Sequence, residues 1–111
     1  MVGYDGSDAA MRALDVAADL AGYGSTLAVV TVRTNGSTES VSADARELLQ
    51  GRLVEAGYHE TSGEPAKQLV KKAHELRADL LVIGRRNGTP LLGSVSSKVV
   101  RRAGCDVLVV R

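Results

Sequence analysis

Two periodicities alternate along the chain. Runs in which almost every residue is aliphatic are each followed by a stretch where aliphatic residues recur at three- and four-residue intervals, with glycine or a polar turn between them. Residues 1–4 are apolar and stop at Asp5-Gly6-Ser7, after which Ala10, Leu14, Ala17, Ala18 and Ala21 keep helical spacing until Gly22 and Gly24. This reads as a strand, a turn and a helix. Residues 26–32 (TLAVVTV) are continuously apolar and β-branched, the composition of an interior strand covered on both faces. After the polar loop 33–40, residues 41–56 carry Ala45, Leu48, Leu49 and Leu53 on one helical face. A short strand is expected over 58–61, and Pro65 then opens a helix with Leu69, Val70, Ala73 and Leu76 inward. Residues 79–83 (DLLVI) repeat the buried-strand signal. Ser94 is the expected cap of a last helix, with Val95, Val99, Val100 and Ala103 inward and Lys98, Arg101 and Arg102 outward. Gly104 closes it, and residues 107–110 are the final strand.

Strands alternating with helices of this length predict an α/β fold: a parallel sheet with right-handed crossovers and helices on both faces. In such sheets ligands sit at the carboxyl ends of the strands where the strand order reverses. The loops after the first and fourth strands, beginning at 5–7 and spanning 84–93, therefore carry the most interest. Gly84 at a strand end lets a ligand approach the backbone closely. Gly93-Ser94 places the amides of Ser94, Val95 and Ser96 at a helix start, where the dipole favours an anion. The Ser94 and Ser96 hydroxyls can add hydrogen bonds, and Arg85 or Arg86 can neutralise charge. Each feature also has a plainer structural explanation. A capped helix after a flexible turn needs the same glycines, and Asp5 has the chemistry of a turn-former.

Composition narrows the choices. With 111 residues the chain is expected to form one domain, 1–111. Lys and Arg number 14 against 13 Asp and Glu, so no global field favours nucleic acid or an anionic membrane as a partner. The absence of Phe and Trp removes most of the stacking surfaces of single-stranded nucleic acid binders. No apolar run nears the ~20 residues of a membrane span, and the N-terminus lacks the character of a signal peptide. A single cysteine, Cys105, suits a reducing compartment, so a cytoplasmic location is expected. Catalytic signals are scarce. His59 and His74 are isolated, the serines have no base at a diagnostic spacing, no His/Cys/Asp/Glu set has metal-ligand spacing, and no Walker lysine follows the glycines.

VGYDGS near the start, GEPA before the third helix, ADLLVIGRR, and the terminal LLGSVSSKVVRRAGCDVLVV together resemble the universal stress protein family over nearly the whole chain. The terminal block is the specific part. The resemblance implies an adenine-nucleotide α-hydrolase-like fold, an open five-stranded parallel sheet of order 3-2-1-4-5. In one branch of the family it implies ATP, accompanied by Mg²⁺ or Mn²⁺, held through a Gly-x2-Gly-x9-Gly-Ser/Thr motif. It further implies a homodimer through the last strand, residues 106–111, an apolar β-branched edge that needs covering on physical grounds as well. Carried over by position, Asp5 is the adenine contact, Gly3 and Val32 are pocket walls, and Ile83 and Gly84 lie under the nucleoside. Arg86, Gly93, Ser94, Val95 and Ser96 surround the phosphates and ribose.

Departures from that pattern are concentrated in the connecting regions. Asn87 stands where the second motif glycine belongs, though Asn tolerates a left-handed backbone. Only five residues, 88–92, separate it from Gly93 in place of nine, so the phosphate loop is short. The first strand lacks leading residues, and the segment between Gly57 and Gly63 is too short for the family's third strand and its loop. Three functions follow: a nucleotide-binding regulatory module of the stress response, an interaction protein of the same fold that binds no nucleotide, and a slow ATP hydrolase, the last with least support.

Overall fold

Strands and helices alternate along the described chain as β1 (Val2–Gly3), α1 (Asp8–Ala21), β2 (Leu27–Arg33), α2 (Glu39–Gly51), β3 (Ala56–Ser62), α3 (Pro65–Glu75), β4 (Leu80–Gly84), α4 (Ser94–Arg102) and β5 (Asp106–Val110). The structure, a computed structural model, describes residues 1–22, 24–33, 39–85 and 94–111. Its strands form one parallel sheet of order β3-β2-β1-β4-β5, as the resemblance implied. The chain steps outward from β1 through β2 to β3, then crosses to β4 and β5 on the other side. The reversal therefore falls between β1 and β4, where Val2 opposes both Val29 and Val82.

A layer of helices covers each face, which is why β4 needs no alternation: Leu81, Val82 and Ile83 are all buried. On one face α1 and α2 place Ala13, Leu14, Ala17, Ala45 and Leu49 against Val2, Val29 and Val82. On the other, α3 and α4 place Ala66, Leu69, Ala73 and Val99 against Val30, Leu81 and Ile83. Each fully buried Leu or Val contributes about 1.5–3 kcal/mol. The inner face of α1 is almost entirely alanine, so its backbone lies close to the sheet. Ser7 caps that helix, its Oγ accepting from the Ala10 amide at 3.1 Å, and Asp8 complements the helix dipole.

Several boundaries differ from those the sequence suggests. Helix α2 stops at Gly51, and Leu53, expected on its inner face, lies beyond it at φ 57 and is 93% exposed. The Val54 amide bonds the Leu49 carbonyl at 2.9 Å and the Leu53 amide bonds Gln50 at 3.0 Å, the pairing of a Schellman ending. Helix α3 ends in the same way, with Arg77 at φ 52 and the Ala78 amide on the Ala73 carbonyl. Glycine usually takes this left-handed position; here Leu and Arg do, which removed the stop signal. Strand β3 is also longer than expected. It runs seven residues, starting before Gly57, and pairs with β2 from Leu27–Ala56 to Arg33–Ser62, so the segment does accommodate the third strand. Gly63, at φ 131, and Glu64 suffice to enter α3. On α4 Ser96 and Val99 are buried, and Val95 and Ala103 are half-buried against the same cluster as expected, while Val100 is 45% exposed instead of buried.

Candidate functional site

The carboxyl ends of β1 and β4 meet at the reversal point, bringing Gly3, Tyr4 and Asp5 beside Ile83 and Gly84. Strand pleating sends Gly3 and Ile83 toward the α3 and α4 layer, and Val32 packs against the same cluster from β2. A side chain at Gly3 would begin 3.0 and 3.2 Å from the two Leu69 methyls and 3.5 Å from Ile83 Cγ2. Leu69, which sequence reasoning placed only in the core, thus forms an apolar wall at this end of the sheet together with Ile83 and Val32. An apolar wall offers a flat ring only van der Waals contact, so its orientation would have to come from a neighbouring acceptor.

Asp5 is that neighbouring acceptor. It is exposed, and its Oδ1 accepts from the Ser7 amide at 2.9 Å, which shapes the turn into α1 together with Gly6 at φ 84. The turn-forming explanation of Asp5 is therefore realised in the structure by one of its oxygens.

Gly84 is a glycine for a different reason from the one its position suggests. A Cβ here would lie 2.4 Å from the Ala9 carbonyl oxygen, 2.5 Å from its carbon and 2.9 Å from the Ala10 nitrogen. The open side of this residue is filled by the backbone of α1, not left for a ligand. Ser96 is buried, and its hydroxyl donates to the Gly84 carbonyl at 3.3 Å, a bond within the fold. The Arg85 amide continues the ladder to the Val110 carbonyl at 2.7 Å. Ser94 begins α4, and Val95 is half-buried against the α3 and α4 cluster. Arg86, Asn87 and Gly93 lie outside the described residues. The structure thus gathers Gly3, Asp5, Val32, Ile83, Gly84 and the first turn of α4 around one end of the β1–β4 seam.

The remaining candidate groups stand apart from this seam. His59 is half-buried on edge strand β3, and His74 is exposed on α3. Cys105 is a half-buried free thiol packed against the α3 and α4 cluster. Tyr4 points to the opposite layer, where its hydroxyl donates to Met11 Sδ at 2.8 Å. Burial, reinforced by the Asp44 and Asp5 carboxylates, pushes its phenol above the ordinary range. Among the described residues no set of three or more His, Cys, Asp or Glu side chains could hold a metal, and no helix is long and apolar enough to cross a membrane.

Comparison with known proteins bears on this geometry. Residues 37–111 match the family model described as the universal stress protein family. A universal stress protein of Mycobacterium tuberculosis is 35% identical, the match covering 99% of this chain and 93% of the relative. That alignment runs over 136 positions against the 111 residues here, so the relative carries inserted residues that this chain lacks. A universal stress protein of Thermus aquaticus is 34% identical, with 100% of this chain and 96% of the relative covered. Among solved structures, a universal stress protein in complex with cAMP superimposes with a TM-score of 0.87 at 31% identity, covering 99% of this chain and 93% of that one.

Proposed function

The chain belongs to the universal stress protein family, and from that premise we propose that it is a cytoplasmic regulatory module that binds an adenine nucleotide and acts as a homodimer. The observation that carries this reading is the meeting of Gly3, Val32, Ile83 and Asp5 at the strand-order reversal, in a fold shared with a protein that holds cAMP. The base lies against the Leu69, Ile83 and Val32 wall with its amine toward Asp5. The phosphate end lies toward the start of α4, where helix-terminal amides and Arg86 offset its charge. ATP, with Mg²⁺ or Mn²⁺ on its phosphates, is the ligand that the glycine motif suggests.

A second reading concerns how many phosphates the site takes. Five residues stand between Asn87 and Gly93 where the motif has nine, and a shorter loop covers fewer phosphates. This favours a monophosphate such as cAMP or AMP. Calorimetry with ATP, cAMP and AMP separates the two, since a shortened cradle predicts that the monophosphates bind at least as tightly as ATP. Asp5→Ala should weaken all three by about 1.4 kcal/mol, tenfold, because it acts on the base. A loss confined to ATP would place Asp5 at the wrong end of the ligand. Flat titrations at millimolar nucleotide would leave the family's interaction-module role in its place.

The homodimer is supported by the edge strand β5, which among the described residues pairs only with β4. Leu108 on that strand is 38% exposed, and Val100 on α4 is 45% exposed. Pairing of two such edges satisfies their backbone groups and covers apolar surface. Light scattering that finds a monomer at micromolar concentration would remove this element of the proposal.

A further inference from the structure

A formal charge of +1 conceals a separation of charge across the sheet. On the α1 and α2 layer, Tyr4, Met11 and Leu48 floor an open groove of about 510 Å³, rimmed by Asp8, Asp44 and Glu47. All three carboxylate residues are exposed, and among the described residues none of their side chains makes an ion pair or hydrogen bond. The arginines of this layer are engaged elsewhere: Arg52 bridges Asp15 and Asp19, Arg46 stacks over the Tyr58 ring at 4.1 Å, and Arg12 donates to the Arg111 carbonyl. On the opposite layer the excess has the other sign. Lys72 pairs with Glu75 and Lys98 with Glu64, while Lys67 and Lys71 on α3 are exposed and form no ion pair among the described residues, the nearby Glu64 and Glu75 being paired with other lysines.

The two surplus sets also match in spacing. Lys67 and Lys71 are i and i+4 on α3, and Asp44 and Glu47 are i and i+3 on α2. Each pair therefore spans one helical turn, about 5–6 Å between Cβ atoms. A lysine stem laid on the apolar floor would keep its ammonium at the acidic rim. We propose that the Asp8, Asp44 and Glu47 groove is a docking site for the α3 face of a second copy of this chain, through Lys67 and Lys71. The contact joins unlike faces, so a pair of copies retains one free donor face and one free groove between them, and assembly can extend beyond a pair. It is separate from edge pairing through β5, and the groove lies on the layer opposite Gly3 and Ile83, with Gly6 of the Asp5 turn at its edge. Surface ion pairs are individually weak and screened by salt, so the association should be concentration-dependent and strongest at low ionic strength.

Complementary charge reversal tests this directly. Light scattering and sedimentation at low salt should show species larger than the β5 dimer that dissociate in high salt. Asp44→Lys with Glu47→Lys, and separately Lys67→Glu with Lys71→Glu, should each abolish those larger species. Mixing the two variants should restore them, because each then offers a face complementary to the other. Species no larger than the β5 dimer at low salt, larger species unaffected by either variant, or variants that stay apart when mixed would each overturn the proposal. Binding of a lysine-rich peptide to the groove without any self-association would also overturn it, identifying another protein as the occupant. Dimers that persist in both variants report the β5 contact alone, so the two interfaces fail or survive independently.

Discussion

Gly3 and Gly84 end neighbouring strands at the same seam, yet they are glycines for unlike reasons. At Gly3 the space a side chain would enter is bounded by the tips of Leu69, which can rotate away. At Gly84 it is bounded by the Ala9 and Ala10 backbone at 2.4 to 2.9 Å, which can move only if α1 moves. The alanine face that lets α1 lie so close makes the second glycine obligatory, whatever binds nearby. A glycine in a nucleotide-motif position is thus not by itself evidence of a ligand.

Mutation of the pair gives the largest expected contrast. Gly84→Ala should cost about 3 kcal/mol in denaturant unfolding, whereas Gly3→Ala, against a yielding side chain, should cost about 1 kcal/mol. Equal losses would break the distinction. The next effects concern what secures each strand end. Ser96→Ala removes the donor to the Gly84 carbonyl and Ser7→Ala removes the cap beyond Asp5, and each should lower stability by about 1 kcal/mol. Only the first should also shift the amide resonances of β4. A gain is expected away from the seam: Leu53→Gly frees an exposed residue from a left-handed backbone and should raise stability by about 0.5–1 kcal/mol. The smallest effect is in alkali. The raised Tyr4 phenol keeps its proton longer in the folded state, so its contribution is intact below about pH 10 and is lost as pH climbs through the folded value. Tyr4→Phe should flatten that part of the stability profile.

Much of the fold was legible because its signals are local. Asp5-Gly6-Ser7 announces a turn and a capped helix within three residues, and the runs TLAVVTV and DLLVI announce doubly covered strands. Those assignments in turn located the seam. The ends of α2 and α3 were not legible, since Leu53 and Arg77 occupy positions where glycine ordinarily marks the stop. Val100 was assigned inward by its apolar character, but Ser96 holds the inner position through its bond to Gly84. At the candidate site, Asp5, Val32 and Ile83 were expected from strand ends and family likeness, and the structure brings them to one end of the seam. Leu69 was not, because a helix-face leucine carries no sign of which glycine it will cover.

Order of elements, their kind and the faces they bury are properties of neighbouring residues: three- and four-residue periods, β-branched runs and short-range caps act before the chain is compact. Which backbone passes over Gly84, which leucine closes over Gly3, and how charge divides between the two helical layers depend on residues far apart in the chain. Those features came into being only with packing, because a steric or electrostatic contact between distant segments has no energy until the sheet and its two layers have brought them together.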